Sequence, residues 1–180
     1  MMKNDRLTHI GNRDLLKRPL IAFFCSQQCP GEIIIKAQDW ANQAVGDSHT
    51  IISGFHTPVE KEVLRILLRG KHPAIMCMAR GLENYRVPVD LKPGIADGTL
   101  LLVSPFPASE RRVTSDLAEK RNRHILTMVD TVLIAHAAPG GKTFDLATAT
   151  KERGLKLLSF ASNYNEHLQI KDGLQTVSLS

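Results

Sequence analysis

The chain has 180 residues, of which 43% are hydrophobic and 23% charged, and 23 basic against 18 acidic residues give it a formal net charge of +5. This length predicts one domain with its own hydrophobic core, and this composition excludes a disordered chain. No apolar run approaches the roughly 20 residues that span a bilayer, and residues 1–19 lack the apolar stretch of a secretory signal, so the sequence predicts a cytoplasmic protein without membrane contact.

The cysteines and the charge balance limit which metal sites, disulfides and binding partners are compatible with the sequence. Cys25, Cys29 and Cys77 are too few for a disulfide framework, and no Cys or His cluster stands at ligand spacing to complete a zinc site. We therefore expect no metal and no cofactor. The modest excess of basic residues favours a polyanionic partner such as a nucleotide or a nucleic acid.

Short apolar runs alternate with amphipathic stretches along the chain. The apolar runs predict buried strands at residues 20–25, 50–53, 73–78, 99–104, 131–135 and 155–160. The amphipathic stretches predict helices at residues 32–44, 58–69, 115–128 and 143–153, with a loop and at most a short helix between 80 and 98. The second helix has the clearest start, because Thr57 can cap it, Pro58 suits its first position and Glu60 completes a capping box.

This alternation defines the fold class. Strands without polar alternation, separated by helices, predict a parallel sheet covered on both faces. Right-handed crossovers then give a three-layer, doubly wound, mainly parallel α/β sheet of the Rossmann-like type in a single domain. We expect this domain at residues 18–162, with an N-terminal extension at 1–17 and a polar tail at 163–180. Such sheets bind ligands beyond the carboxyl ends of their strands, which directs attention to the strand-to-helix turns.

Three of these turns are small and polar, over residues 25–31, 53–57 and 138–143. Each directs unpaired backbone N–H groups and the positive end of a helix toward the same edge of the sheet, which favours an anion there. The alternative is that the glycines only shape tight turns, since neither the Rossmann fingerprint nor a Walker A motif is present. The candidate phosphate-binding residues are Ser26, Gln27, Ser53, Gly54, Phe55, Pro139, Gly140, Gly141, Lys142 and Thr143.

The densest charged segment covers residues 119–124. Arg121 and Arg123 suit the recognition of phosphate, and Asn122 can hold a loop or a base edge. The alternative is an ordinary solvated helix face. Three histidines near the predicted edge have the chemistry of general acids or bases, although no catalytic motif surrounds them: His56, His124 and His136.

Five segments together match the pattern of one family. They are Ser53-Gly54, residues 102–107 (Leu-Val-Ser-Pro-Phe-Pro), Arg121-Asn122-Arg123, residues 130–134 (Asp-Thr-Val-Leu-Ile) and Gly140-Gly141-Lys142-Thr143. Over about residues 18–160 the chain resembles the Rossmann domain of the DNA-processing protein A (Smf) family. The resemblance implies a basic pocket for single-stranded DNA, a homodimer and a strand-exchange recombinase as partner. It implies that Ser53, Gly54, Arg121, Asn122, Arg123, Gly140, Gly141 and Lys142 line the pocket.

The chain departs from the family pattern at two turns. The family usually has Ser-Gly-Gly-Ala-Arg-Gly-Ile-Asp at the second turn and Gly-Ser-Arg at the first. This chain has Thr57 and Gln27 at the positions of these arginines. The expected pocket therefore carries two positive charges fewer than its relatives.

A second resemblance leaves an enzymatic alternative open. Residues 139–145 (Pro-Gly-Gly-Lys-Thr-Phe-Asp) resemble the Pro-Gly-Gly-x-Gly-Thr-x-Glu motif of the cytokinin-activating phosphoribohydrolases of the same superfamily. This implies hydrolysis of the N-glycosidic bond of a nucleoside monophosphate, with Arg121 on the phosphate and Asp145 or Glu119 as acid/base. Because one motif residue is missing and an aspartate replaces the glutamate, DNA binding is the preferred interpretation. A third interpretation uses the same pocket as a nucleotide sensor that acts on a partner protein.

Overall fold

The structure is a computed structural model that describes residues 7–169. Its strands are β1 (Thr8–Gly11), β2 (Leu20–Cys25), β3 (Thr50–Ser53), β4 (Ala74–Cys77), β5 (Leu100–Ser104), β6 (Thr131–His136) and β7 (Lys156–Ser159). Its helices are α1 (Gly31–Ala44), α2 (Pro58–Arg69), α3 (Lys92–Ala96), α4 (Ser115–Ile125) and α5 (Lys142–Glu152), together with two 3-10 helices, Arg13–Lys17 and Asn163–Leu168. The predicted strands and helices are all confirmed, with small shifts at their ends.

The seven strands of the described residues form one sheet in the order β1-β5-β4-β3-β2-β6-β7. Neighbouring strands are parallel except for β1, which runs antiparallel to β5. The chain leaves β2 toward β3, β4 and β5 on one side, then crosses back to add β6 and β7 on the other side. This reversal beside β2 is the topological switch point, where open α/β sheets hold their ligands.

Helices cover both faces of the sheet and complete the three predicted layers. Phe23 and Phe24 on β2 point to opposite faces, because successive residues of a strand alternate in direction. Phe23 belongs to the core under α1 and α2, and Phe24 to the core under α4 and α5. Phe23 stacks on Trp40 of α1 with ring centroids 5.2 Å apart. No helix within residues 7–169 combines the length and the apolar character needed to cross a lipid bilayer.

Segments on both sides of residues 18–162 also pack on the domain. β1 places Thr8 opposite Ser104 at the edge of the sheet, and Leu15 of the first 3-10 helix is buried in the core. At the other end of the chain, Asn165 of the last 3-10 helix is buried as well.

The sequence prediction of an extension over residues 1–17 therefore missed a strand. β1 has four residues and is largely exposed, so it has no apolar run to reveal it. The remainder of the predicted extension and tail, residues 1–6 and 170–180, lies outside the described residues.

Candidate functional site

The turns that follow β2 and β6 lie side by side at the switch point and are joined by one serine. Ser26 donates its backbone N–H to the carbonyl oxygen of His136 at 2.9 Å. Its hydroxyl Oγ accepts the N–H of Ala138, also at 2.9 Å. Because Ser26 is buried, these hydrogen bonds fix the turn before α1 relative to the turn before α5.

The helices that begin at this edge differ in how their first N–H groups are satisfied. α2 and α4 are capped by the hydroxyls of Thr57 and Thr114, and α2 has the complete capping box predicted from its sequence. α1 and α5 have no side-chain cap, and their N-cap residues are Pro30 and Gly141. α1 packs on one face of the sheet and α5 on the other, so each uncapped start favours an anion near its own N–H groups.

The turn before α5 allows a close approach to the backbone. Gly140 has a φ of +69°, and a Cβ built on it meets nothing within 4 Å. Gly141 closes the turn by donating its N–H to the Ala138 carbonyl at 3.0 Å. Pro139 and Gly140 are exposed and Thr143 is half-buried, so a ligand can reach the start of α5 from solvent.

A crevice of about 540 Å³ opens between the first half of α4 and these turns. We call it the rim crevice, and its lining residues are Gln27, His56, Val113, Thr114, Ser115, Ala118, Glu119, Asn122 and Lys142. Three predicted binding residues from separate parts of the chain meet here, namely Gln27, Asn122 and Lys142. Together with His56 they offer hydrogen-bond donors and acceptors and one positive charge.

The charges of the rim crevice centre on Glu119. Its two carboxylate oxygens lie 3.8 Å from Lys142 Nζ and 3.8 Å from Arg123 Nε. Lys142 also hydrogen-bonds to the Ser115 hydroxyl. The three charged side chains are roughly half exposed, so these ion pairs are weak. An anionic ligand can therefore compete with Glu119 for both cations.

Arg121 lies beside the rim crevice but is only 4% exposed. Its Nη1 donates to the Cys77 carbonyl at 3.1 Å, and its Nε donates to Oδ1 of Asn122 at 2.7 Å. Burial lowers the pKa of the Arg121 guanidinium, while the Cys77 thiol and Glu60 oppose that shift. Arg121 thus orients Asn122 and does not line the crevice itself.

The two predicted arginines do not converge. Positions 121 and 123 are two residues apart on α4, which separates their side chains by roughly 200° around the helix axis. Arg121 is buried, whereas Arg123 is exposed and lies next to Glu119. The helix predicted over residues 115–128 already implies this separation, so the expectation that both arginines line one pocket conflicts with it.

Glu60 is an important residue that the sequence identified only as part of a capping box. Its carboxylate is buried, with Oε1 accepting the Cys25 N–H at 3.1 Å and Oε2 accepting the N–H groups of His56 at 2.8 Å and Thr57 at 3.2 Å. Burial raises the pKa of Glu60, against the lowering effect of these N–H groups and of Arg121. Glu60 therefore joins the turn after β2 to the turn after β3.

Two predicted residues shape the turn after β3. Ser53 is buried, and its Oγ accepts the Phe55 N–H at 3.1 Å. Phe55 has a φ of +47° and a buried side chain. Neither residue lines the rim crevice. Phe55 instead contributes to a larger, mainly apolar cavity of about 710 Å³ between α2 and α3, which contains no other predicted site residue.

The candidates for acid/base chemistry are spread apart. His56 and Glu119 line the rim crevice, but Asp145 is exposed on α5 and does not line it. His136 is buried, with its Nδ1 3.0 Å from Oδ1 of Asn165. Burial also lowers the pKa of His124, which lies outside the crevice lining. Within residues 7–169, no group of His, Cys, Asp and Glu side chains is arranged to hold a metal ion.

These features define a Rossmann-like α/β protein with uncapped helix starts at its switch point. The model of the family described as DNA recombination-mediator protein A matches residues 5–173. The chain therefore belongs to this family, as the resemblance of its sequence motifs implied. No curated protein matches the chain significantly.

Solved structures share the fold at low sequence identity. DNA processing protein A from Streptococcus pneumoniae is 22% identical with a TM-score of 0.72, over 93% of this chain and 57% of that chain. The protein of the same name from Helicobacter pylori, described by its single-stranded DNA binding mode, is 18% identical with a TM-score of 0.72, over 88% and 73%. A molybdenum cofactor binding protein from Rippkaea orientalis is 11% identical with a TM-score of 0.57, over 81% and 78%. This chain thus spans little more than half of the Streptococcus pneumoniae protein.

Proposed function

We propose that the chain binds single-stranded DNA at the rim crevice. The observation that carries this proposal is the uncapped start of α5, where Lys142 in the first turn lines the rim crevice. Free N–H groups, a helix dipole and an ammonium group are complementary to a backbone phosphate. The DNA-binding relative from Helicobacter pylori, which shares the fold, supports this assignment.

Different side chains around the crevice bind different parts of the DNA. Lys142 and Arg123 contact phosphate by displacing Glu119, to which both are weakly paired in the free protein. Gln27, His56 and Asn122 supply hydrogen bonds to a sugar or a base. Arg121 acts through Asn122, whose Oδ1 accepts its Nε–H.

The test is a titration of a fluorescently labelled oligothymidylate at several salt concentrations. Replacing Lys142 and Arg123 by alanine is expected to weaken binding by roughly 1–3 kcal/mol per lost charged contact, and to lower the salt dependence of the binding constant. The matched control replaces Lys17 and Lys156, which are exposed and lie at the opposite edge of the sheet. Equal affinities for the wild type and the Lys142/Arg123 double variant at every salt concentration would contradict the proposal.

A free nucleotide is the second candidate, and Glu119 is the observation that favours it. A carboxylate that lines the rim crevice beside Lys142 is placed to act as acid/base on a nucleoside monophosphate. Chromatography of AMP incubated with the purified chain distinguishes the two functions. Release of adenine that is lost in Glu119→Gln would favour the hydrolase, and binding of AMP without release would favour a nucleotide sensor. We expect neither, with the oligonucleotide remaining the tighter ligand.

Two assembly properties belong to the same proposal. As a member of its family, the chain is proposed to form a homodimer and to contact a strand-exchange recombinase. Light scattering coupled to size-exclusion chromatography measures the first property, and co-sedimentation with a recombinase on single-stranded DNA measures the second. A monomeric mass at all protein concentrations would contradict the proposed homodimer and leave the DNA-binding proposal unaffected.

A further inference from the structure

The cavity of about 710 Å³ between α2 and α3 is larger than the rim crevice and shares no lining residue with it. We call it the α2–α3 cavity. Sites for small molecules usually have volumes of about 300–1,000 Å³ and a mainly apolar lining. The apolar side chains that line this cavity belong to the core or pack against it, and they include Phe55, Leu64, Leu68, Met76 and Leu91. Volume and lining together indicate a ligand with an apolar body.

The side of the cavity that α2 forms is basic. Lys61, Arg65 and Arg69 line it, are all exposed, and follow one another about 6 Å apart along the helix axis. Arg65 is paired with Glu62 through two hydrogen bonds, at 2.8 Å and 2.6 Å. Among residues 7–169, Lys61 has no carboxylate partner, and Arg69 donates only to the neutral Asn42 amide oxygen, at 3.2 Å. Lys61 and Arg69 are therefore available to an anionic group.

The carboxylates of the lining restrict the kind of anion. Glu62 is occupied by Arg65, but Asp90 and Asp97 line the cavity on the side of α3. A ligand with negative charge along its whole length, such as a nucleic acid strand, would be repelled there. A ligand with a single acidic group avoids this repulsion by directing that group to α2, where Lys71 adds a further positive charge. The charges thus favour one acidic group on an otherwise apolar molecule.

We propose that the α2–α3 cavity binds an amphipathic anion with one acidic group, of the class of a medium-chain carboxylate. Its apolar chain packs on Leu64, Leu68 and Leu91, and its carboxylate pairs with Lys61 or Arg69. Removal of the chain from water supplies most of the binding free energy, because this gain is proportional to the apolar area buried. The ion pair at the exposed edge fixes the orientation of the ligand and selects the sign of its charge.

The turn after β3 connects this cavity to the rim crevice. Phe55 lines the cavity, and the next residue, His56, lines the crevice. Phe55 has a φ of +47°, which residues with a Cβ rarely adopt, and the His56 N–H is held by Glu60 at 2.8 Å. A ligand that displaces the Phe55 ring therefore moves the backbone that positions His56. Only this effect on the crevice rests on the proposed function, because filling of the cavity requires no DNA.

The experiment titrates the full chain with sodium decanoate, below the concentration at which it forms micelles, by isothermal titration calorimetry. We expect saturable binding of one molecule, with shifts in the NMR signals of isotope-labelled methyl groups of Leu64, Leu68 and Met76. Decyltrimethylammonium has a chain of equal length and a positive head group, so it should bind at least about tenfold more weakly beside Lys61 and Arg69. No saturable binding, equal binding of the two probes, or methyl shifts confined to other parts of the protein would overturn the proposal.

Two variants test the chain contact and the charge contact separately. Leu68→Trp fills the cavity from its half-buried edge and should abolish decanoate binding. Lys61→Gln combined with Arg69→Gln should weaken it about fivefold, the contribution of one partly exposed ion pair. Lys17→Gln combined with Lys156→Gln is the matched control, with the same change in net charge, and should bind like the wild type. Thermal unfolding verifies that each variant is folded, and undiminished binding in both the Leu68 and the Lys61/Arg69 variants would overturn the proposal.

A second titration separates this inference from the proposed function. Saturation with decanoate is expected to weaken the binding of oligothymidylate about fivefold, at the lower end of the usual coupling between two sites. Leu68→Trp should show no such effect. Unchanged affinity for oligothymidylate in the decanoate-saturated wild type would overturn the coupling and leave the cavity site standing. Absence of oligothymidylate binding without decanoate would overturn the proposed function and also leave the cavity site standing.

Discussion

The guanidinium of Arg121 lies directly over Gly54. A Cβ built on Gly54 would be 2.1 Å from Arg121 Cζ and 2.3 Å from its Nη1, far closer than any carbon atom can approach. The backbone of Gly54 does not have a positive φ, so conformation alone does not demand glycine here. Glycine is required here because the Arg121 side chain, which crosses from α4, must pass this point to reach the Cys77 carbonyl.

Gly54→Ala should therefore displace Arg121 and destabilise the protein by about 1–3 kcal/mol, the usual cost of overfilling a packed site. Urea unfolding measures the loss. The decisive comparison is the same substitution in an Arg121→Ala background, where the clash is absent and Gly54→Ala should cost little. Additive losses in this double-mutant cycle would show that the two residues are not coupled.

Gly140→Ala tests a glycine that is needed for a different reason. Its φ of +69° is disfavoured for any residue with a Cβ, although space is free around it. We expect a loss of about 1–2 kcal/mol from this left-handed conformation. Gly31→Ala is the matched control, because it also has free space but has no positive φ, and it should be neutral or stabilising at the first position of α1. Equal unfolding free energies for the two variants would contradict this explanation.

Ser26→Ala removes the acceptor of the Ala138 N–H and leaves that donor without its partner in a partly buried turn. The expected loss is about 1–2 kcal/mol in the free energy of unfolding. Amide hydrogen exchange should also become faster in the turn before α5. Ser48→Ala, at an exposed loop position, should leave both measurements unchanged within error. If Ala138 in Ser26→Ala is as well protected from exchange as in the wild type, Ser26 does not hold the two turns together.

His72 should make stability depend on pH. Burial lowers the pKa of His72 below its ordinary value of 6.5, and Nδ1 accepts the Gly46 N–H at 3.3 Å, which requires the neutral ring. A lowered pKa in the folded state gives stability that is present above the unfolded pKa and is lost as the pH falls through the folded pKa. The Tm of the wild type should therefore fall as the pH drops below 6.5, and less steeply in His72→Gln. His9→Gln, at an exposed position, should keep the wild-type dependence of Tm on pH. If Tm changes equally with pH in all three proteins, His72 is not the cause of the pH dependence.

Most of the fold could be predicted from the sequence because it depends on local patterns. Apolar runs of four to six residues mark the buried strands, and the capping box of Thr57 and Glu60 marks the start of α2. β1 escaped prediction because an exposed edge strand needs no apolar run. The apolar runs in the sequence agree best with the observed strands where both faces of a strand are buried.

The site was harder to predict because its contacts join distant parts of the chain. Arg121 stands in a charged segment but on the buried stripe of α4, between Leu117 and Ile125, and it is enclosed through contacts with Gly54 and Cys77. Glu60 reaches the backbone of Cys25, 35 residues earlier in the chain. The helical period of α4 marks position 121 as inward-facing, but no pattern names the partners of Arg121 or Glu60. Gln27, Asn122 and Lys142 were found because they follow strand ends or lie in a basic segment.

The fixed position of Arg121 has an electrostatic consequence. A surface arginine must lose up to about 2 kcal/mol of side-chain rotational freedom when it grips a ligand, but this one is already held by two hydrogen bonds. Its positive field is preorganised, so it acts on any anion that enters with no movement of its own, although the nearby buried Glu60 opposes that field. Arg121 therefore adds to the positive potential at this edge without contacting the ligand. The neutral amides and the exposed cations at the surface make the contacts.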